Sequence, residues 1–495
     1  MKKIDFPVGI SDFSKIRENE YYYIDKTGLI CEVLKNPGTE VTLITRPRRF
    51  GKTLGMSMLA EFFDIEKDSR KIFQGLEISN HEKLCHAWQN QRPTVFLTFK
   101  NVDGLSFDSA YGQLKYEIGR LYEEYAYLLD GEHISDNERQ IYERIRKQAA
   151  GEVEVTRSLQ LLLQLMNKYY GKQAILLLDE YDVPLAKASS HGYYEQMLEV
   201  IKAMMTTALK DNAALCFSIV TGCLRISKES IFTGTNNFVL DTITDARLDE
   251  YFGFTQKDVD KILSDAGVTE YAGQVKEWYD GYRAAAGDYL YNPRSVVCAL
   301  RDNQLANYWT SSGTYDSIFN YIKGNIADVR NDLVLMVAGE HVPAKMQQYA
   351  ATANVLHTKD QIYSAMVVYG LLTYENGKVF IPNKELMDKF DELLLSNQQL
   401  GYVYRLARES QRMLQATIHG DTDTMEEILE YVHDTEVPIY SYNSEVELSA
   451  IVNLVYLSAR DEYRVEREDK AGKGFVDFIF YPKRNNIPGI ILELK

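Results

Sequence analysis

The chain has 495 residues, which is longer than a chain that usually folds around a single hydrophobic core. We therefore expect about two to four compact units. Hydrophobic residues make up 45% and charged residues 25%, which excludes an intrinsically disordered chain. The net charge of −16 excludes a protein whose whole surface grips nucleic acid, although a local basic cleft remains open.

Cysteine usage and hydropathy indicate a cytoplasmic protein. The chain contains no apolar run of the ~20 residues that span a bilayer, so no membrane partner is expected. Lys2 and Lys3 have no apolar segment behind them and do not begin a signal peptide. The scattered cysteines lack the spacing of a disulfide framework or zinc site; they are Cys31, Cys85, Cys216, Cys223 and Cys298.

The first half of the chain alternates apolar strands with helices. Continuous apolar strands of this kind predict an α/β fold of the P-loop NTPase type, a parallel sheet with helices on both faces. The predicted strands are 41–45, 94–99, 174–178 and 216–222, and the predicted helices are 54–63, 109–128, 156–169 and 194–209.

After about residue 245 the pattern becomes mostly helical, with one strand signal at 378–381 and two strands at the end. We therefore predict a P-loop domain at 1–250, a mostly helical extension at 251–435 and a partial α/β domain at 436–495. The predicted helices here are 256–266, 271–279, 292–305, 424–433 and 443–460.

Gly51, Lys52 and Thr53 stand between a predicted strand and a predicted helix, as in a phosphate-binding P-loop. Lys52 would contact the β- and γ-phosphates of ATP, the Thr53 hydroxyl would bind Mg²⁺, and the helix N-terminus would add its dipole. Arg46 replaces the first glycine of the usual pattern, so the entry to the loop must differ.

Three arginines and a phenylalanine complete the predicted nucleotide-binding loop: Arg46, Arg48, Arg49 and Phe50. For the arginines, a solvated basic loop and a direct contact to phosphate or nucleic acid are both open interpretations.

The strand 174–178 leads into Asp179 and Glu180. Asp179 would hold Mg²⁺ through water and Glu180 would polarise the attacking water. The alternative is a core strand followed by a solvated acidic turn. We expect the strand at 94–99 to lie between the two motif strands, and Asp182 to cap the turn before Pro184.

The strand at 216–222 would also end at the ligand crevice, because the carboxyl ends of parallel strands converge there. Thr221 would sense the γ-phosphate, and Arg225 would stabilise the charge that develops on it. Arg225 could instead pair with Glu229.

Several unusual motifs, in order, resemble the AAA-ATPase-like family of prokaryotic proteins over roughly residues 5–300. In that family an arginine in place of the first glycine is normal, and Tyr23, Asp25 and Lys26 matter; solvent-exposed structural roles are expected for these three. The motifs that carry the resemblance are 6–13, 23–27, 46–53, 178–184, 221–227, 251–255, 278–282 and 291–296.

The two closing strands carry Asp477, Glu493 and Lys495. If the strands pair, Asp477 and Glu493 can converge on one divalent metal, with Lys495 on the Glu493 face about 7 Å away. The arrangement resembles the PD-(D/E)xK nuclease core, although an amphipathic hairpin is the plain alternative. Glu445 and Glu447 are competing choices for a third acid.

The chain stops at Lys495, whereas that nuclease fold continues with another helix and strand, so we expect a truncated domain. The prediction for the chain is Mg²⁺-dependent ATP binding and hydrolysis, coupled to a nuclease-like domain acting on DNA or RNA. The alternative is an ATP-dependent switch or scaffold whose degenerate nuclease domain only binds nucleic acid or a protein partner. Oligomeric state is left open.

Overall fold

The structure is a computed structural model. It describes residues 4–35, 38–223, 238–243, 245–284, 287, 289–309, 326–346, 356, 358–396, 400, 402–434, 445–471, 474–485 and 487–494.

The chain divides into two compact units. The first unit comprises Met1–Trp309, Gln347–Leu356 and Ser364–Gly370, and the second comprises Thr310–Met346, His357–Tyr363 and Leu371–Lys495. The boundaries at 250 and 435 remain predictions.

A parallel sheet of five strands forms the centre of the first unit, in the order β2-β3-β4-β1-β5. Four of these strands were predicted from the sequence. Each is a mainly apolar run that lies between the two helical layers. The fifth, β5, is short and was not predicted. The strands are β1 Val41–Thr45, β2 Thr94–Thr98, β3 Ala174–Asp179, β4 Leu215–Gly222 and β5 Phe238–Asp241.

The strand that separates the P-loop strand β1 from the acidic strand β3 is β4, and the expectation that 94–99 would lie there was wrong. Instead β2 lies outside β3, with Thr98 opposite Asp179. All these strands are apolar, so their composition does not encode their order. That order depends on how the crossover helices pack and on the handedness of each crossover.

Helices cover both faces of this sheet, as predicted. On one face α6, α9 and α11 share a core with β1, β2 and β3, and on the other face α1, α2 and α3 pack against the alternate strand residues. The helices up to residue 209 are α1 Phe13–Glu18, α2 Gly28–Lys35, α3 Lys52–Phe63, α4 Arg70–Phe73, α5 Glu82–Trp88, α6 Phe107–Glu124, α7 Asp136–Arg146, α8 Glu152–Thr156, α9 Ser158–Tyr170, α10 Val183–His191 and α11 Tyr194–Leu209.

The first unit continues into three helices with a small core of their own and a short hairpin. Thr255 begins the first of these helices with a capping box, and Gly267 ends it at a φ of +71°. The elements are α12 Gln256–Ala266, α13 Ala272–Tyr279, β6 Tyr282–Arg283, β7 Tyr289–Leu290 and α14 Pro293–Asp302.

The second unit is mainly helical, with two antiparallel three-stranded sheets in the orders β8-β10-β9 and β11-β12-β13. Its helices are α15 Ile326–Val337, α16 Lys359–Tyr369 (whose last residues belong to the first unit), α17 Lys384–Ser396, α18 Tyr402–His419, α19 Thr422–Asp434, α20 Glu445–Val455 and α21 Ala459–Glu462; its strands are β8 Val342–Pro343, β9 Thr373–Glu375, β10 Lys378–Phe380, β11 Tyr463–Ala471, β12 Gly474–Pro482 and β13 Ile490–Leu492.

The predicted pairing of the two closing strands is confirmed, with Phe478 opposite Leu492. The strand β11 was missed because charged residues dominate its sequence, which leaves little apolar signal. Assignment of this region to the nuclease fold remains a prediction. Over the described part of the chain, we find no helix with the length and apolar character needed to span a membrane.

Candidate functional site

The phosphate loop, residues 46–53, joins β1 to α3. Gly51 is the residue before α3 and has a φ of +85°, and Arg49 also has a positive φ, +69°. Glycine adopts this region freely, whereas arginine does so at a cost. The chain therefore needs Gly51 at the point where the loop enters the helix.

The N-terminus of α3 offers donors for an anion. Among the described residues, the main-chain amides of Gly51, Lys52 and Thr53 donate no hydrogen bond to protein. Lys52 lies beside them and is only 6% exposed. Its Nζ donates to the carbonyl oxygens of Arg46 (2.8 Å) and Pro47 (2.9 Å). Free amides, a helix dipole and a buried ammonium together are typical of a phosphate site.

Asp179 connects two other predicted site residues, Thr53 and Thr221. Its carboxylate is fully buried at the end of β3 and accepts from the Thr53 hydroxyl at 2.7 Å. Its other oxygen accepts from the hydroxyl of Thr221 on β4. Side chains from the loop helix and two strands therefore meet at one carboxylate.

Glu180 follows directly, with a φ of +54°. Burial raises the pKa of its carboxyl group, and the charge of Asp179 raises it further, while Lys52 opposes the rise. A strained backbone and a perturbed carboxyl group at a strand end are both typical of functional sites.

Asp182 does not cap the turn as expected, since its side chain makes no capping bond to α10. It accepts a hydrogen bond from the amide of Cys223 at 3.1 Å, and so ties the turn after β3 to the end of β4. A Cβ added to Gly222 would lie 2.5 Å from an oxygen of Asp182. The Cys223 sulfur in turn lies 3.4 Å from Lys52 Nζ.

Arg46 lies in the core and not in a solvated loop, because its side chain is 0% exposed. Its guanidinium donates to Asp241 of β5 at 2.6 Å and lies over the ring of Phe252 at 5.5 Å. Asp241 was not predicted from the sequence, although a carboxylate directly after the short apolar run 238–240 was a signal for it. Nucleotide contact by Arg46 remains a prediction, and this burial does not favour it.

Phe50 is buried and packs edge-on against Tyr282 with ring centroids 4.9 Å apart. Its carbonyl oxygen accepts from the amide of Gly253 at 3.1 Å. Arg49 is exposed, and Arg48 is half-buried with its guanidinium 5.8 Å over the ring of Tyr369. The loop is thus anchored through Phe50, while the Arg49 side chain is exposed.

The motif at 23–27 has structural contacts that bury it in part. Asp25 accepts from the amide and hydroxyl of Thr27 and from the amide of Glu77. Lys26 donates to Asp258 at 2.6 Å, and both side chains are 17% exposed. These contacts connect the N-terminal segment to the 3-10 helix Glu77–Asn80 and to α12.

In the C-terminal hairpin, formed by β12 and β13, the register places Asp477 opposite Glu493 one step beyond the last paired residues. Asp477 is half-buried and accepts from the amide of Leu494 at 2.6 Å, whereas Glu493 is exposed. No group of three metal-ligating side chains occurs among the residues that the structure describes. Lys495, Arg225, Glu229 and the side chains of Glu445 and Glu447 lie outside them.

Comparison with known proteins finds similarity in the first unit. A five-stranded parallel sheet with a glycine–lysine–threonine loop after β1 is a P-loop-like fold. Residues 7–232 match the family model described as "Predicted AAA-ATPase", so the resemblance is confirmed for that part of the chain.

A curated protein of Azotobacter chroococcum mcd 1, named "Uncharacterized protein in vnfD 5'region", is 28% identical over 321 residues. The similarity covers 63% of this chain and 55% of that protein, so the chain spans about half the length of this relative.

Proposed function

We propose that the first unit binds ATP with Mg²⁺ and hydrolyses it. The observation that carries the proposal is the meeting of Thr53, Asp179 and Thr221 beside Lys52 and the unbonded amides of the α3 N-terminus. The oxygens of Thr53 and Asp179 are hard donors 2.7 Å apart, which suits Mg²⁺. When bound, Mg²⁺ would neutralise charge on the β- and γ-phosphates.

Each residue of the site has a separate role in this proposal. Lys52 exchanges its carbonyl partners for phosphate oxygens, and the α3 amides bind the same phosphates. Asp179 holds the Thr53 and Thr221 hydroxyls in place. Glu180 orients the attacking water and accepts its proton.

The test is phosphate release by Lys52→Ala and Glu180→Gln. Both variants should lose turnover, whereas only Lys52→Ala should also lose nucleotide binding. Lys71→Ala and Glu195→Gln, on exposed helix positions, are matched controls and should behave like the wild type. Unchanged turnover in both site variants would contradict ATP hydrolysis by this site.

A second candidate function is Mg²⁺-dependent phosphodiester cleavage of DNA or RNA by the second unit. The observation that favours it is the hairpin register, which, if continued one step beyond the Phe478–Leu492 pair, sets Asp477 opposite Glu493 on one face. Two carboxylates so placed can share a divalent cation.

Cleavage by the full chain should require Mg²⁺ or Mn²⁺ and should vanish in Asp477→Asn. The control Asp461→Asn, at an exposed position on α21, should retain cleavage. Salt-sensitive nucleic-acid binding without cleavage would identify instead a degenerate domain that only binds. Tight ATP binding with negligible turnover would favour the switch or scaffold.

A further inference from the structure

Trp309 contacts the phosphate loop although it lies 261 residues after it. Its indole Nε1 donates a hydrogen bond to the carbonyl oxygen of Arg48 at 3.1 Å, and its side chain is fully buried. Trp309 is also the last residue of the first stretch of the first unit, where the chain passes into the second unit.

The contact bears on how the loop presents its amides. A peptide group is planar, so its carbonyl and the next amide point in opposite directions. With the Arg48 oxygen turned toward Trp309, the Arg49 amide is turned the other way. Arg49 has a φ of +69°, so this loop conformation carries backbone strain that other contacts must offset.

Other loop carbonyls are held in the same manner. The amide of Gly253 binds the carbonyl oxygen of Phe50, and the amide of Gly55 binds that of Gly51. Donors thus hold the carbonyls, and the amides of 51–53 are left for a ligand. Trp309 is the donor in this set that comes from farthest along the chain.

Two further residues pack on the loop beside Trp309. The ring of Tyr369 lies under the Arg48 guanidinium. A Cβ added to Gly370 would lie 2.8 Å from Cβ of Pro47 and 3.5 Å from the Trp309 ring, so the fit there requires glycine.

We propose that Trp309 is a positioning residue for nucleotide binding, which fixes the Arg48–Arg49 peptide in the orientation that binds phosphate. The coupling is reciprocal, so nucleotide at the loop stabilises the packing of Trp309 in return. Nucleotide state is thereby sensed where the chain leaves the first unit. This inference rests on the proposed nucleotide site.

The first test is Trp309→Phe, which removes the donor and keeps an aromatic ring. ATP and ADP affinity should fall about fivefold, the net worth of one hydrogen bond, with kcat for saturating ATP changed much less. Trp278→Phe, on α13, is the matched control and should leave affinity unchanged. Equal affinities for wild type and Trp309→Phe would overturn the proposal.

The second test does not depend on the stability of Trp309→Phe. The chain has three tryptophans, so Trp88→Phe/Trp278→Phe leaves Trp309 as the sole tryptophan, whose fluorescence can be excited selectively over that of tyrosine. Mg²⁺-ATP should shift its emission, and adding Lys52→Ala should abolish the shift. Nucleotide binding by calorimetry without any shift would contradict the role of Trp309, whereas no binding by the wild type would contradict the nucleotide site itself.

Discussion

The phosphate loop of the first unit and the C-terminal hairpin of the second unit both bring carboxylates together, but they do so to different degrees. In the loop region, one buried carboxylate already accepts hydrogen bonds from two other elements, and Lys52 lies next to unbonded amides. In the hairpin, Asp477 accepts from a main-chain amide, and its opposite Glu493 is exposed.

The two regions differ in preorganisation, because the side chains at the phosphate loop are held in place before a ligand binds. A site whose donors and acceptors are already fixed loses little freedom on binding. Four predictions test this contrast: a loss of activity comes first, and three effects on stability follow in decreasing size.

The largest loss of activity is expected from Asp179→Asn. Removing this charge should lower ATP turnover at least about 100-fold, because a preorganised electrostatic group is lost. The same exchange at Asp477 should leave ATP turnover unchanged. Phosphate release by the two variants checks this, and similar losses in both would erase the contrast between the regions.

The second prediction concerns Arg46→Gly, which restores the first glycine of the usual P-loop pattern. Instead of improving the loop, it should lower the free energy of unfolding by about 3 kcal/mol, since Asp241 would stay buried without the Arg46 guanidinium and keep the longer contact to Arg247 at 3.5 Å. Urea unfolding measures the change. Unaltered stability with lost nucleotide binding would mean that Arg46 contacts phosphate.

The third prediction is Gly222→Ala. The new methyl group would lie 2.5 Å from Asp182 and 2.7 Å from the Tyr181 ring, so strain of about 1–3 kcal/mol is expected. Gly112→Ala, in open space on α6, should instead be neutral or stabilising. Thermal melting of both variants decides; equal melting temperatures would mean that the two strand ends are not tightly packed.

The smallest effect is a pH dependence in the second unit. Burial raises the pKa of Asp391 from 3.8 to about 6, against the opposing charge of Arg460. A raised pKa favours the protonated group in the folded state, so stability should fall as pH rises through that window. Unfolding at several pH values should show this fall, absent in Asp391→Asn. Stability rising over the same range would mean that the Arg460 ion pair outweighs burial.

Much of the first unit could be predicted from local sequence. The strands at 41–45, 174–178 and 216–222 were predicted from short β-rich runs, and Gly51-Lys52-Thr53 identified the phosphate loop. Local patterns of this kind need no knowledge of distant partners.

The missed features depend on pairs far apart in the chain. Arg46 and Asp241 are 195 residues apart, and Trp309 and Arg48 are 261 apart, so neither pair leaves a mark on local periodicity. The position of β4 between β1 and β3 follows from tertiary packing. The strand β11 was not predicted, because its charged residues leave little apolar alternation to indicate a strand.

The measurement that tests the central claim most directly is calorimetric titration of ATP with Mg²⁺ into wild type and Lys52→Ala. The account predicts one Mg²⁺-dependent site per chain in the wild type and none in the variant. Equal affinity in both proteins would contradict a nucleotide site at the phosphate loop.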